Sequence, residues 1–463
     1  MGTLDDARTG IGRAHWGRRV MAAVMLLAVV GAGLYFSGVL SGCFVPKTRI
    51  AVKQQYQGPA TRVVGVEDWN QLRGPRNDQI SRETGLLEKW PDEGLKVLWS
   101  AEVGLGYASP VAAGGKVFLF SMNDQKETLT AFDAATGAIL WNKEGGEGWT
   151  TSYRGTRATP TADGDRVYTF GGRGELICRR TGDGGEVWRA NVLEMTGNTN
   201  VQWGMASSPT VDDKHVYVQA GKGGPVAVAV DKMSGKLAWK SRATGTGGYA
   251  KVIEAEVGGA RQLIVFAGEA IYGVTPADGK TLWSHVWRTS YDVNASTPLY
   301  DPATQRVFLT SAYNHGGIVL QLSAAGATPV WENGLVQGKF QGAILDGGHL
   351  YANSEADGGT ATLVCVSWAD GSLKWKADSK FRLGMGGSIV RFAGSKMMVG
   401  QSERGKLVLM RATPEGITKV SESEGVEGKE VWATPLVYGG RLYAKGEKEL
   451  VCYEVGSGGE VKK

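Results

Sequence analysis

A short phrase returns along this chain at a nearly fixed interval, and that recurrence limits the folds open to it. Leu129–Trp141 reads LTAFDAATGAILW, Leu176–Trp188 reads LICRRTGDGGEVW, and Ile271–Trp283 reads IYGVTPADGKTLW. Related stretches end at Trp239 and Trp375, and each has a glycine four residues before its tryptophan: Gly137, Gly184, Gly235, Gly279 and Gly371. Degenerate copies end at Trp331 and near Val420, and an orphan half, KVLW, ends at Trp99. The marks lie about 46 residues apart, within the 40–50 residues of a propeller blade.

Each unit has the contents of a blade. After the tryptophan comes a loop, then a short strand opened by small-small-Pro, as in Ala108-Ser109-Pro110 and Ala158-Thr159-Pro160. A tight Gly/Asp turn leads to an alternating strand such as KVFLF or RVYTF, which is the pattern of a hairpin. A third strand runs into the glycine turn, and the tryptophan strand follows. Four antiparallel strands per unit, arranged radially, make a β-propeller. The chain ends on a third strand, LVCYE at 450–454, and the strand at Trp99 lacks its first three. Joining the two closes a ring and leaves no unpaired outer edge at the seam. The expected count is eight blades, with seven as the alternative. Cys178, Cys365 and Cys452 share one slot in different blades, too far apart for disulfides, and read as small buried residues.

Glycine is 69 of 463 residues against 14 prolines, which suits many turns between short strands. Fifteen tryptophans and 42% hydrophobic residues exclude a disordered chain. The net charge of +5 comes from 51 basic and 46 acidic residues with no basic block, so nucleic acid is not an expected partner. Residues 1–43 read as an address. Arg8, Arg13, Arg18 and Arg19 precede an apolar run ending in Leu40-Ser41-Gly42-Cys43, which looks like a bacterial lipobox with Cys43 as the lipidated thiol. An uncleaved signal anchor and a cleaved soluble form are the alternatives; all three place the bulk of the chain outside the cytoplasm. Residues 44–95 are expected to be a linker and a clasp on the ring, 96–456 the propeller, and 457–463 a polar tail.

The A-x-D-x-x-x-G-x-x-x-W unit resembles the pyrroloquinoline quinone (PQQ) repeat over roughly residues 95–456. Trp69 with Arg73-Gly74-Pro75 resembles the N-terminal lead of a group of uncharacterised bacterial PQQ-repeat proteins. The resemblance implies an eight-bladed all-β propeller and two kinds of function. One branch is the periplasmic quinoprotein dehydrogenases. The other is non-enzymatic and BamB-like, assisting insertion of outer-membrane β-barrel proteins. The repeat's own tryptophans and glycines serve packing and turns, so they do not choose between the branches.

A quinoprotein site calls for a flat aromatic floor, Ca²⁺ held by oxygen ligands, an Asp base and cations for the quinone's carboxylates. The loops that enter the innermost strands supply candidates. Asp292 is the candidate base and Asn294 the candidate Ca²⁺ ligand. Arg157, Lys251, Arg288, Trp203 and Tyr291 are candidates for holding PQQ. Trp149, Tyr153, Tyr249, Lys339 and Gln341 lie on the same set of loops, and Tyr313 and His315 lie on another loop that should reach a rim. The sequence has neither a Cys-Cys pair nor a C-x-x-C-H haem site, and it lacks H-E-x-x-H and G-x-S-x-G. The expectation is a membrane-tethered, monomeric binding or scaffold protein of the bacterial envelope with protein partners. The alternatives are a PQQ-dependent alcohol or sugar dehydrogenase and, further off, a sugar- or polymer-binding module.

Overall fold

A computed structural model describes residues 51–54, 63–324, 326–355 and 361–457. The basic and apolar leader with Cys43, and the last six residues of the polar tail, lie outside the described residues. Among the described residues no helix is long and apolar enough to cross a membrane.

Eight four-stranded antiparallel sheets follow one another along the chain. Seven are continuous in sequence: 111–147, 161–191, 210–240, 253–286, 299–333, 344–376 and 388–423. The eighth is the seam. Leu436–Tyr438, Arg441–Lys445 and Glu449–Glu454 are completed by Val97–Glu102, with Trp99 opposite Cys452. Val52–Gln54 adds a fifth strand outside the seam, antiparallel to Val97–Glu102. The first strands of successive blades neighbour one another, so they line the axis. Blade faces bury their alternating apolar residues against the next blade: Tyr168, Cys178 and Trp188 of the second pack with Val216, Val228 and Val230 of the third.

The repeated Gly and Trp are coupled across blades. Trp141 Nε1 donates to Thr181 O at 3.1 Å, Trp188 Nε1 to Lys232 O at 3.0 Å, and Trp239 Nε1 to Pro276 O at 2.8 Å. Each acceptor lies in the glycine turn of the following blade. Gly184 has a left-handed backbone, φ 69°, and a Cβ there would stand 2.6 Å from the Trp141 ring, so turn and docking both demand glycine. Trp283 departs from the rule. The next blade's outer hairpin is tight, with Ser323 opposite Gly326, and offers no such ledge. The indole turns back onto its own blade, against Gly273 and onto Gln262 Oε1 at 2.8 Å. The three cysteines are free and buried, and each faces a tryptophan across its strand pair: Cys178–Trp188, Cys365–Trp375 and Cys452–Trp99.

Residues 63–95 enter the axis and fill one end of it. Inner strands carry backbone groups that need partners, and this segment supplies them to six of the eight blades. Trp69 O accepts from Ala112 N at 2.9 Å and Asn70 O from Ala162 N at 2.8 Å. Asn77 Nδ2 donates to Pro298 O, Arg73 Nη2 to Ala343 O at 2.6 Å, and Gln79 Nε2 to Ile389 O. Ile80–Ser81 pairs in parallel with the inner strand Ser388–Phe392. Both Glu83 oxygens then accept from Gly439 and Gly440 of the seam blade.

Candidate functional site

Above this plug the axis opens into a cavity of about 220 Å³. Its construction follows from two positions in every blade. One is the residue two before the first strand begins, directly before the proline where there is one. It is Ser109, Thr159, Ser208, Thr297 or Thr434 in five blades, and all five line the cavity. These hydroxyls also knit the ring: Thr434 N donates to Ser109 Oγ, Ser109 N to Thr159 Oγ1, and Thr159 N to Ser208 Oγ. Two blades have glycine here. Gly342 makes room for the Arg73 guanidinium, and at Gly386 a Cβ would stand 1.7 Å from the Trp432 ring. The remaining blade has Lys251.

The second position, two residues earlier in the chain, holds Tyr107, Arg157, Tyr249, Phe340 and Trp432 on the cavity wall. Trp432 lies between Tyr107 and Phe340, with centroids at 4.7 and 4.6 Å and planes within about 30°. Tyr153 closes this cluster at 5.4 Å from Trp432. On the opposite wall Trp203 packs on Tyr249 at 6.0 Å. Leu72 of the plug also lines the cavity.

Three cations line the same space. Arg157 lies 5.4 Å from the Trp149 ring and donates to Gly155 O at 2.7 Å and Ser152 O at 3.0 Å. Burial holds its pKa down to about 10. Lys339 stands over the Tyr313 ring at 4.9 Å. Lys251 is 2% exposed and donates to Gln71 Oε1. Burial lowers its pKa to about 7. No Asp or Glu is among the residues lining the cavity.

The expected site residues separate accordingly. Arg157, Lys251, Trp203, Tyr153, Tyr249, Tyr313, Lys339 and Gln341 meet at the cavity. Arg288 is exposed and pairs with Glu269 at 3.6 Å outside it. Tyr291 is 70% exposed and touches the site only edge-on, through Trp203 at 6.2 Å. Asp292 sits at φ 56° in the turn beside Gly268, off the cavity lining. Asn294 is fully buried with its amide committed to protein. Nδ2 donates to Ala267 O at 2.8 Å and Gly268 O at 3.0 Å, and Oδ1 accepts from Ser311 Oγ at 2.8 Å. Its backbone oxygen accepts from Tyr249 N and Ala250 N. It is a clip for the loop that carries Lys251. The cations and rings suit a planar carboxylate such as PQQ; calcium does not fit, because the lining has no carboxylate and the Asn294 oxygen is already bonded. No group of three or more His, Cys, Asp or Glu side chains is placed to hold a metal among the described residues.

Tyr107, Phe340, Trp432 and Leu72 were not evident from sequence. Aligning the eight inner strands by their opening residues would have found the first three, since Tyr107 and Trp432 stand directly before Ala-Ser-Pro and Ala-Thr-Pro.

Comparison with solved structures supports the architecture. BamB from Moraxella catarrhalis superposes with TM-score 0.56 at 12% identity, over 78% of this chain and 97% of its own. The computationally designed Ika8 protein gives 0.55 at 11% identity, over 76% and 98%. A quinohemoprotein alcohol dehydrogenase from Pseudomonas putida HK5 gives 0.48 at 11% identity, over 86% and 81%, too distant to inform the chemistry here. A search of curated proteins finds no match. The family profile described as outer membrane protein assembly factor BamB matches residues 80–203 and 142–377, more than half of the chain, and the protein belongs to that family of PQQ-repeat propellers.

Proposed function

We propose that the protein is a BamB-like binding propeller of the cell envelope, tethered by its N-terminal apolar run or by lipid on Cys43. It works by binding rather than turnover. Its seat is the axial mouth, and the ligand class is a planar group bearing carboxylates. One observation carries this reading: aromatic rings and three cations converge on one cavity whose lining holds no carboxylate. Rings offer flat apolar area, and desolvated cations demand anionic partners. The dehydrogenase reading needs calcium and a base in the same place, and Asn294 and Asp292 are both turned to other work.

The test is a titration of the full-length protein in detergent with PQQ, with calcium or with a chelator, following quenching of tryptophan fluorescence. Trp203 and Trp432 line the cavity and should respond. Saturable quenching that ignores calcium is expected. Calcium-dependent, one-to-one binding would restore the dehydrogenase reading, and absence of quenching would move the binding face to the outer rim. The tether has its own test: Cys43→Ser should abolish labelling by an alkynyl fatty acid if the lipobox is used.

A further inference from the structure

Lys251 breaks the pattern of its own ring. At the equivalent position five blades carry a small hydroxyl that hydrogen-bonds or faces the axis, and the two glycines admit Arg73 and Trp432. A long amine in the remaining slot has no such packing account. Its one hydrogen bond among the described residues goes to the neutral amide of Gln71, and no carboxylate pairs with it. Burial outweighs the two charged groups that act on this amine from a distance, Glu254 favouring the ammonium and the plug's Arg73 opposing it, which leaves a free lone pair near neutral pH.

The backbone that presents this amine is held firmly. Gln219, fully buried, donates from Nε2 to Ala250 O at 2.7 Å and to Phe266 O at 3.0 Å, and accepts from Gly248 N. Asn294 O receives the amides of Tyr249 and Ala250. Lys251 therefore projects from a fixed segment into the lining of a cavity that also carries Arg157 and Lys339.

We infer that Lys251 is a nucleophile that captures the carbonyl of a carboxylate-bearing aldehyde or ketone as an imine within the axial cavity. The inference rests on the proposed carboxylate-binding role of the mouth. The amine lone pair forms a bond to the carbonyl carbon, giving a carbinolamine. The nitrogen then loses its remaining proton and the oxygen leaves as water, so that C=N replaces C=O without any oxidant or reductant. Arg157 and Lys339 hold the carboxylate, and the aromatic walls keep bulk water away from the reversible bond.

The experiment uses full-length protein and two probes, 4-formylbenzoate and terephthalate. The first has both carbonyl and carboxylate; the second is a carboxylate with no carbonyl. After borohydride reduction, peptide mapping locates every lysine adduct of 4-formylbenzoate. Lys251 should be modified at least about tenfold ahead of the exposed lysines at pH 7, as its lower pKa requires, and terephthalate should protect it. Benzaldehyde, lacking the carboxylate, should label it more slowly. The adduct is read on the native chain, so the result does not depend on a variant that fails to fold; Lys251→Met serves as the control for assignment. Terephthalate quenching without preferential Lys251 labelling overturns the imine and leaves the binding role standing. Failure of both readouts overturns both. Equal labelling by benzaldehyde with no protection by terephthalate contradicts a carboxylate-bearing ligand.

Discussion

The two ends of the propeller axis are lined by the same eight inner strands and are finished in opposite ways. At one end, residues 69–83 meet backbone carbonyls and amides of the first, second, fifth, sixth, seventh and eighth blades, and Arg73 is bonded to Ala343 O and Asn77 O. At the other end, Arg157, Lys251 and Lys339 line an open cavity with aromatic walls and no carboxylate. Arg73 spends its donors between plug and ring, whereas Arg157, Lys251 and Lys339 face a cavity whose lining offers rings and neutral oxygens but no carboxylate, which leaves room for an anionic ligand. The eightfold repeat makes both ends possible, and departures from it mark where each is specialised: Gly342 admits the plug's arginine, and Lys251 interrupts the ring of hydroxyls.

Substitutions should separate the two ends. The largest effect is expected from Arg73→Ala, which strips two carbonyls of a charged donor and should cost about 4 kcal/mol in denaturant unfolding, with PQQ affinity changed by less than about twofold. Asn294→Ala should follow at about 3 kcal/mol, since the clip's amide bonds are lost inside the protein. Added calcium should not alter that difference; a calcium-dependent gap would mean that Asn294 is a ligand after all.

Lys251→Met should be more stable than the wild type by a few kcal/mol at pH 6. The sign follows from the lowered pKa, about 7 in the fold against an ordinary 10.5. Below pH 7 the folded protein must bear a buried charge, and that penalty is relieved as pH rises from 7 toward 10.5. The advantage of the variant should therefore shrink over that window. Comparing the two proteins is necessary because buried Lys445 is lowered to about 7 as well. The smallest effect is at the rim: Lys339→Ala should weaken PQQ binding about tenfold, roughly 1.4 kcal/mol, and leave unfolding within about 0.5 kcal/mol.

The sequence made the ring legible because its contacts are periodic. Gly184 and Trp141 sit at fixed places in adjacent copies, and their docking is a property of the repeat. The seam could be read for the same reason, from a strand at Trp99 without companions and a final strand without a fourth. The mouth was legible only in part. Arg157, Lys251 and Trp203 lie on loops that sequence can place near the axis, but Tyr107, Phe340 and Trp432 become one stack only when the first, sixth and eighth blades close on each other. Asn294 misled because an amide beside an inner strand suits a cation as well as backbone, and burial decides between them. The plug was hardest to read: Asn70, Arg73, Asn77 and Gln79 find partners spread from residue 162 to residue 389, which no local pattern specifies.

Hydrogen exchange on the full-length protein, with and without PQQ, tests the division between the two ends most directly. Protection is expected in loops 149–157, 203–206, 337–341 and 429–434, with residues 73–84 unchanged and calcium without effect. Protection concentrated in residues 73–84, or protection of the mouth that appears only with calcium, would contradict the account.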